Sequence, residues 1–171
     1  DSHHGVFRYE IGDKGLKSEY ANQADLGVEY VSEHIRLVVN PFFQYIQNFI
    51  YVSPSGLYKE GLPEFYYKQA QYATLSGGDI AIHYHPHFFH PLHIENNVSY
   101  IYGEDNLKSP LPLIPQTRFN TSLRFEINSK GKLQLEYISL QHLYFLEQNR
   151  VVTFELPSSE YQLFHISAGL K

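Results

Sequence analysis

The residues most able to do chemistry in this chain are its ten histidines, which fall mainly into two groups. His3 and His4 are adjacent near the start, in a polar stretch rich in Gly and His. His83, His85, His87, His90 and His93 follow one another at intervals of two or three residues. Neutral imidazole is a good ligand for zinc and related divalent metals. On an extended strand His83 and His85 point the same way, because side chains alternate with period two, so their spacing suits one divalent ion. His87, in or beside the turn that follows, is the third metal candidate. Adjacent histidines rarely both bind one ion, and a complete site needs three or four ligands. His3 and His4 are therefore ligand-binding candidates that need help from elsewhere. The competing reading of the second group is a belt of amphipathic rings at a polar boundary, with no ion.

Other chemistry is poorly supplied. There is no Cys, hence no thiol nucleophile, zinc-thiolate site or disulfide frame. No nucleophile elbow or paired-carboxylate motif accompanies the Ser, His and Asp residues, so the chain reads as a non-enzyme. Asn97-Val98-Ser99 and Asn120-Thr121-Ser122 match glycosylation sequons, but both fall inside predicted strands. A net charge of -5, with no basic run, argues against nucleic-acid binding. Tyr and Phe make up 16 % of the chain and Trp is absent. No apolar run is long enough for a transmembrane helix, no signal peptide opens the chain, and there is no Met. A low mean hydropathy does not exclude a membrane β-barrel, because alternation averages the signal away.

The elements that must carry these residues are strands. Arg118 to Ile127 alternates without exception: Phe119, Thr121, Leu123, Phe125 and Ile127 on one face, Arg118, Asn120, Ser122, Arg124 and Glu126 on the other. Similar patterns predict strands over 20–31, 35–51, 65–85, 93–102, 132–146 and 161–171. Pro41 interrupts the second and predicts a bulge or a poorly paired position. Gly77-Gly78 predicts an irregularity in the third. Residues 1–19 read as loop, and 53–64 as a longer loop marked by Pro54, Gly56, Gly61 and Pro63. Connections alternate in length: short at 32–34, 86–91 and 128–131, long at 53–64, 103–115 and 147–160. In an up-and-down antiparallel sheet this gathers the short turns at one rim and the long loops at the other, as in outer-membrane barrels.

Several motifs then resemble the C-terminal part of the β-barrel of TonB-dependent outer-membrane receptors. Arg8 to Asp13 followed by Leu16-Lys17-Ser18-Glu19 is similar to the loop that precedes a family strand, here Asp25-Leu26-Gly27-Val28-Glu29-Tyr30. Gln69-Ala70, Leu75 to Asp79, and Leu113-Ile114-Pro115-Gln116-Thr117-Arg118 resemble later family segments in the same order. Gly15, Ser18 and Asp79 depart from the family's usual residues. His3-His4 resembles the His pairs that some zinc-uptake or unassigned members carry before this motif. The resemblance implies a fragment: about seven strands of a barrel of roughly 22, without the plug domain and the final strands.

The expectation is an all-β, antiparallel up-and-down meander. It occupies 1–171 as a partial TonB-dependent receptor barrel, with 1–19 an external loop and 20–171 strands and loops. The resemblance implies a bacterial cell outer-membrane location and TonB-energised uptake of a scarce ligand: a metal ion, a metal chelate or another small nutrient. Its partners would be the lipid bilayer, the small ligand, and a TonB-type energising complex reached through the plug, with no nucleic acid. No resident cofactor is implied; zinc or another divalent metal would enter as the transported ligand. The alternative is a soluble β-sandwich or barrel binding a carbohydrate or divalent metal. The two differ over Ile80, Ile82, Phe119, Leu123, Phe125, Phe164 and Ile166, which face lipid in the first and a closed interior in the second.

Overall fold

In a computed structural model, described for the backbone of residues 2–3 and for residues 7–127 and 134–171, the chain is all β. The predicted turn at 128–131 and His4 lie outside the described residues. The strands are β1 (Ser2–His3), β2 (Arg8–Ile11), β3 (Tyr20–Asp25), β4 (Val28–Val31), β5 (Ile35–Gln47) and β6 (Ile50–Lys59). They continue with β7 (Leu62–Gln69), β8 (Tyr72–Tyr84), β9 (Leu92–Asp105), β10 (Arg118–Glu126), β11 (Leu135–Phe145) and β12 (Tyr161–Leu170). The main sheet runs β12-β11-β10-β9-β8-β5-β3, with β4 also paired to β5, and every pairing in it is antiparallel.

β3 and β4 are two parts of one predicted strand. Both pair β5 in the same register, and the break at Leu26-Gly27 lies opposite Asn40-Pro41. Pro41 has no N–H to donate, so the ladder loses a bond there, although its carbonyl still accepts from the Leu26 N–H at 3.0 Å. The poorly paired position is thus where it was expected, and the interruption shows in the partner strand. On its other side β5 pairs β8 without a register shift, Pro41 opposite Gly78.

Gly77 and Gly78 are not an irregularity. They sit mid-strand because the neighbouring backbones come too close for a side chain. A Cβ on Gly77 would lie 2.2 Å from the carbonyl oxygen of Tyr100.

Two regions read as loop are ordered strand. Residues 50–69 form a hairpin, β6–β7, closed by Glu60 and Gly61, both at positive φ, as a two-residue turn matched to strand twist requires. Pro54, Gly56 and Pro63 hid this hairpin in the sequence, since each is depleted in strands. Pro54 nevertheless pairs Phe65, and Gly56, at φ 82°, occupies an irregularity between Pro54 and Tyr58. The 1–19 segment contributes β1 and β2, which join the hairpin in a second sheet ordered β1-β2-β7-β6, with β2 parallel to β7.

No hydrophobic core sits beneath either face of the main sheet among the described residues. Among the described residues the buried apolar side chains are Ala73, Leu111 and Pro86. The discriminating residues lie open: Ile80 41 %, Ile82 40 %, Leu123 40 %, Phe125 37 %, Phe164 64 % and Ile166 78 % exposed, with Phe119 half-buried beside Tyr144. On central strands the polar side is the more covered one. Ala81 and His83 are half-buried where the alternate residues Ile80 and Ile82 are exposed, and Ser139 is half-buried between exposed Ile138 and Leu140. This alternation belongs to a sheet curved with its apolar face outward and its polar face inward. A soluble sandwich would do the reverse, since burying its apolar face is what holds it together.

Candidate functional site

The long connections 48–71, 106–117 and 146–160 meet at one rim and enclose a cavity of about 300 Å³. Phe49 and Tyr51, at the start of β6, line it as a stacked pair with centroids 6.1 Å apart. Lys68, Asp105, Leu111 and Phe154 complete much of the wall. Its loops are tied by hydrogen bonds. The Asp105 carboxylate accepts from the N–H groups of Leu107 and Ser109, at 2.8 and 2.9 Å, which fixes the turn. The Leu113 N–H donates to Glu155 at 2.7 Å, joining two of the loops. Leu111, 3 % exposed, is the apolar anchor beneath them. Two aromatic faces, one ammonium and one carboxylate suit a small, partly apolar, charged ligand.

Beside this cavity the receptor-like motifs act as clasps. The Gln69 side chain accepts from the Lys17 N–H at 3.0 Å and donates to the Lys17 carbonyl at 2.7 Å and the Asn48 carbonyl at 2.8 Å. Glu19 accepts from the Ile50 N–H at 2.6 Å. The Lys17-Ser18-Glu19 and Gln69 segments, 52 residues apart between Lys17 and Gln69, therefore recognise each other and hold the N-terminal segment at the base of the hairpin. Further out, the Tyr67 hydroxyl donates to Glu10 at 2.7 Å. That hydrogen bond, with burial, holds the phenol above its ordinary pKa.

The opposite rim carries short turns and histidines. His34, from the 32–34 turn, joins His83, His85, His87, His90 and His93 in one group of rings. Centroid separations run from 4.8 Å for the stacked His85–His93 pair to 6.4 Å for His34–His85. His83 and His85 share the inward face as expected, but His83's nitrogen partner is His93. His83 Nε2 stands 3.3 Å from His93 Nδ1. His87 lies against His34 and His90 instead. Among the described residues no three His, Asp or Glu side chains stand ready around one metal position. His34 Nδ1 is buried without a hydrogen-bond partner.

The contact of His83 with His93, ten residues apart, is invisible in spacing along one strand because it crosses diagonally between β8 and β9, where His83 stands opposite Glu95. A signal was available for the neighbouring His85–His93 stack: these two lie symmetrically about Phe89, as hairpin partners must. At the loop rim, His3 pairs through β1 with Arg8 of β2, next to the hairpin, and its side chain is outside the description.

A curved antiparallel sheet with an apolar outer face, a polar inner face, short turns at one rim and long loops at the other is the wall of an outer-membrane-type β-barrel. The chain belongs to the TonB-dependent receptor-like β-barrel family, whose model matches residues 3–171. It is a family of receptors and transporters rather than enzymes. Among solved structures, the copper transporter OprC superposes with a TM-score of 0.76 at 17 % identity, over 91 % of this chain and 24 % of that one. The FrpB iron transporter from Neisseria meningitidis gives 0.61 at 15 % identity, over 95 % of this chain and 26 % of that one. The siderophore receptor PirA from Acinetobacter baumannii gives 0.63 at 15 % identity, over 94 % and 26 %. The chain thus spans about a quarter of the length of these structures, and at such identities the likeness establishes the fold. A comparison with curated protein sequences gives no match.

Proposed function

We propose that this chain supplies wall and external loops to a receptor for TonB-energised uptake across the bacterial outer membrane. Its ligand is a metal ion, a metal chelate or another small nutrient. The observation that carries the reading is the outward apolar face of a sheet with no core beneath it, which needs lipid to cover it. The loop-rim cavity is where ligand arrives, with Phe49, Tyr51 and Lys68 offering stacking and a positive charge. β1, which carries His3, pairs β2 beside the hairpin, and in this reading His3 and His4 contribute ligands to an incoming divalent metal, zinc foremost. The energising complex acts through a plug domain. OprC, FrpB and PirA, named for copper, iron and siderophore, favour the metal class.

The experiment is uptake by cells making the intact receptor, with and without an active TonB system. The probes are zinc(II), copper(II) and a ferric hydroxamate chelate. TonB-dependent accumulation of one probe, lowered by a Phe49→Ala/Lys68→Ala pair, is the expected result. No TonB-dependent accumulation of any of the three would refute the metal reading.

A further inference from the structure

We propose that the short-turn rim holds a transition-metal site whose first two ligands are His83 Nε2 and His93 Nδ1. Their separation, 3.3 Å, is that of two nitrogens on one tetrahedral zinc, where ligands about 2.0–2.1 Å from the ion lie roughly 3.3–3.4 Å apart. The outer nitrogens of the same rings face carboxylates: His83 Nδ1 is 3.7 Å from Glu95, and His93 Nε2 is 3.8 Å from Glu126. A carboxylate behind each ligating imidazole is the usual second layer of a histidine metal site, fixing the tautomer and raising ligand basicity.

The proton balance is simple. In the metal-free pair one inner nitrogen carries the hydrogen of the shared bond. When an ion takes both inner lone pairs, that proton moves to the same ring's outer nitrogen, towards Glu95 or Glu126. Both rings stay neutral, and each outer N–H then has a carboxylate to donate to.

The third ligand is His85. Its ring stacks on His93 at 4.8 Å, and its Nε2 donates to the His90 carbonyl, leaving Nδ1 as a free lone pair. To ligate, that ring must turn out of its stack and give up its bond to the His90 carbonyl, bringing Nδ1 to the pair, with water as the fourth ligand. Without that rotation the three side chains do not surround one point. The sheet itself places the three residues. His83 pairs Glu95 in the β8–β9 ladder, His93 pairs Arg124 in the β9–β10 ladder, and the His85 N–H is tied to the His34 carbonyl at 2.9 Å. The site lies on the inward face, at the far rim from the loops that receive ligand. It stands on this geometry whatever the transported ligand proves to be, and in a metal transporter it would hold an ion on its way out.

The test uses the intact detergent-solubilised receptor in a His3→Ala/His4→Ala background, so that the loop histidines do not contribute. Zinc chloride is titrated by calorimetry, and cobalt chloride by visible absorption. One equivalent of zinc that disappears in His83→Ala/His93→Ala is the expected result, with about tenfold weaker binding in Glu95→Gln or Glu126→Gln. Equal stoichiometry and affinity with and without the histidine pair overturns the proposal. If the double variant loses its heat-modifiable folded band, His93→Gln replaces it. Cobalt in the His3→Ala/His4→Ala receptor then decides: intense tetrahedral bands lost in His93→Gln support the site, and weak octahedral bands alone overturn it. Uptake and rim binding are separate readouts, so either can fail without the other.

Discussion

Leu123→Arg is the substitution on which membrane and soluble readings differ most. Leu123 lies one residue from the middle of β10, opposite Ile94 on one side and Leu140 on the other, and it is 40 % exposed. The nine residues of β10 span about 30 Å at roughly 3.3–3.4 Å each. At a tilt of 35–45° that is about 21–25 Å of height, close to the apolar band of such barrels. Leu123 thus falls near mid-bilayer, where an outward Arg costs about 2–4 kcal/mol. That is roughly a 30- to 700-fold loss in the folding equilibrium. On a soluble sheet the same change at an exposed position would stay within about 0.5 kcal/mol. The assay is urea-dependent folding of the intact receptor into lipid vesicles, read from the heat-modifiable band. A shift below 0.5 kcal/mol would refute the assignment of this face to lipid.

Three further outcomes are expected. Gln69→Ala removes two hydrogen bonds between the N-terminal segment and the hairpin, both to the Lys17 backbone, and one within the hairpin base, to the Asn48 carbonyl; at about 0.5–1.5 kcal/mol each for such bonds, losing the first two should loosen that junction by roughly 1–3 kcal/mol. Faster hydrogen exchange at the Lys17 and Ala70 amides, with little change in β10, is the measurement. Gly77→Ala forces a Cβ to 2.2 Å from the Tyr100 carbonyl, so it should destabilise by more than the ordinary strand gain from Ala. The loss would show as a lower denaturation midpoint, and an unchanged one would mean that β8 and β9 part easily. Glu10→Gln should lower the Tyr67 pKa towards its ordinary value, because the carboxylate is the first cause of its elevation. In the wild type the Tyr67–Glu10 contribution is full below the unfolded phenol's pKa and is lost as pH rises through the higher folded value. A spectrophotometric titration of Glu10→Gln against Tyr67→Phe checks this, and no difference from wild type would show that the hydrogen bond is not formed.

The wall of this barrel was legible because lipid and lumen impose opposite chemistry on alternate residues. Phe119, Leu123 and Phe125 announce that alternation as plainly as a half-buried soluble strand would. The alternating connection lengths carried the rim assignment with them. The β6–β7 hairpin was illegible because Pro54, Gly56 and Pro63 speak locally for a loop. Its order comes from long-range pairing and from a turn at Glu60-Gly61 rather than from strand propensity. The histidines were legible as a group but not as a geometry: spacing along β8 puts His83 with His85, while across the sheet the His83 ring reaches diagonally past its ladder partner Glu95 to His93. Gln69 was noticed as part of a motif, yet nothing local in it says that its partner is the Lys17 backbone.

The outer hairpin is joined to the wall without a slack joint. The ladder runs on across its base, where the Asn48 N–H donates to the Gln71 carbonyl at 2.9 Å and the Ala70 N–H to the Phe49 carbonyl at 2.8 Å. The ten residues of β6 then carry the tip roughly 30 Å further, at about 3.3 Å each. Such an arm behaves as a mast, and anything grafted between Glu60 and Gly61 would be held clear of the lipopolysaccharide-facing surface. In the proposed topology that tip is the part of this chain that antibodies and phage meet first, and a peptide tag inserted there should be stained on unbroken cells.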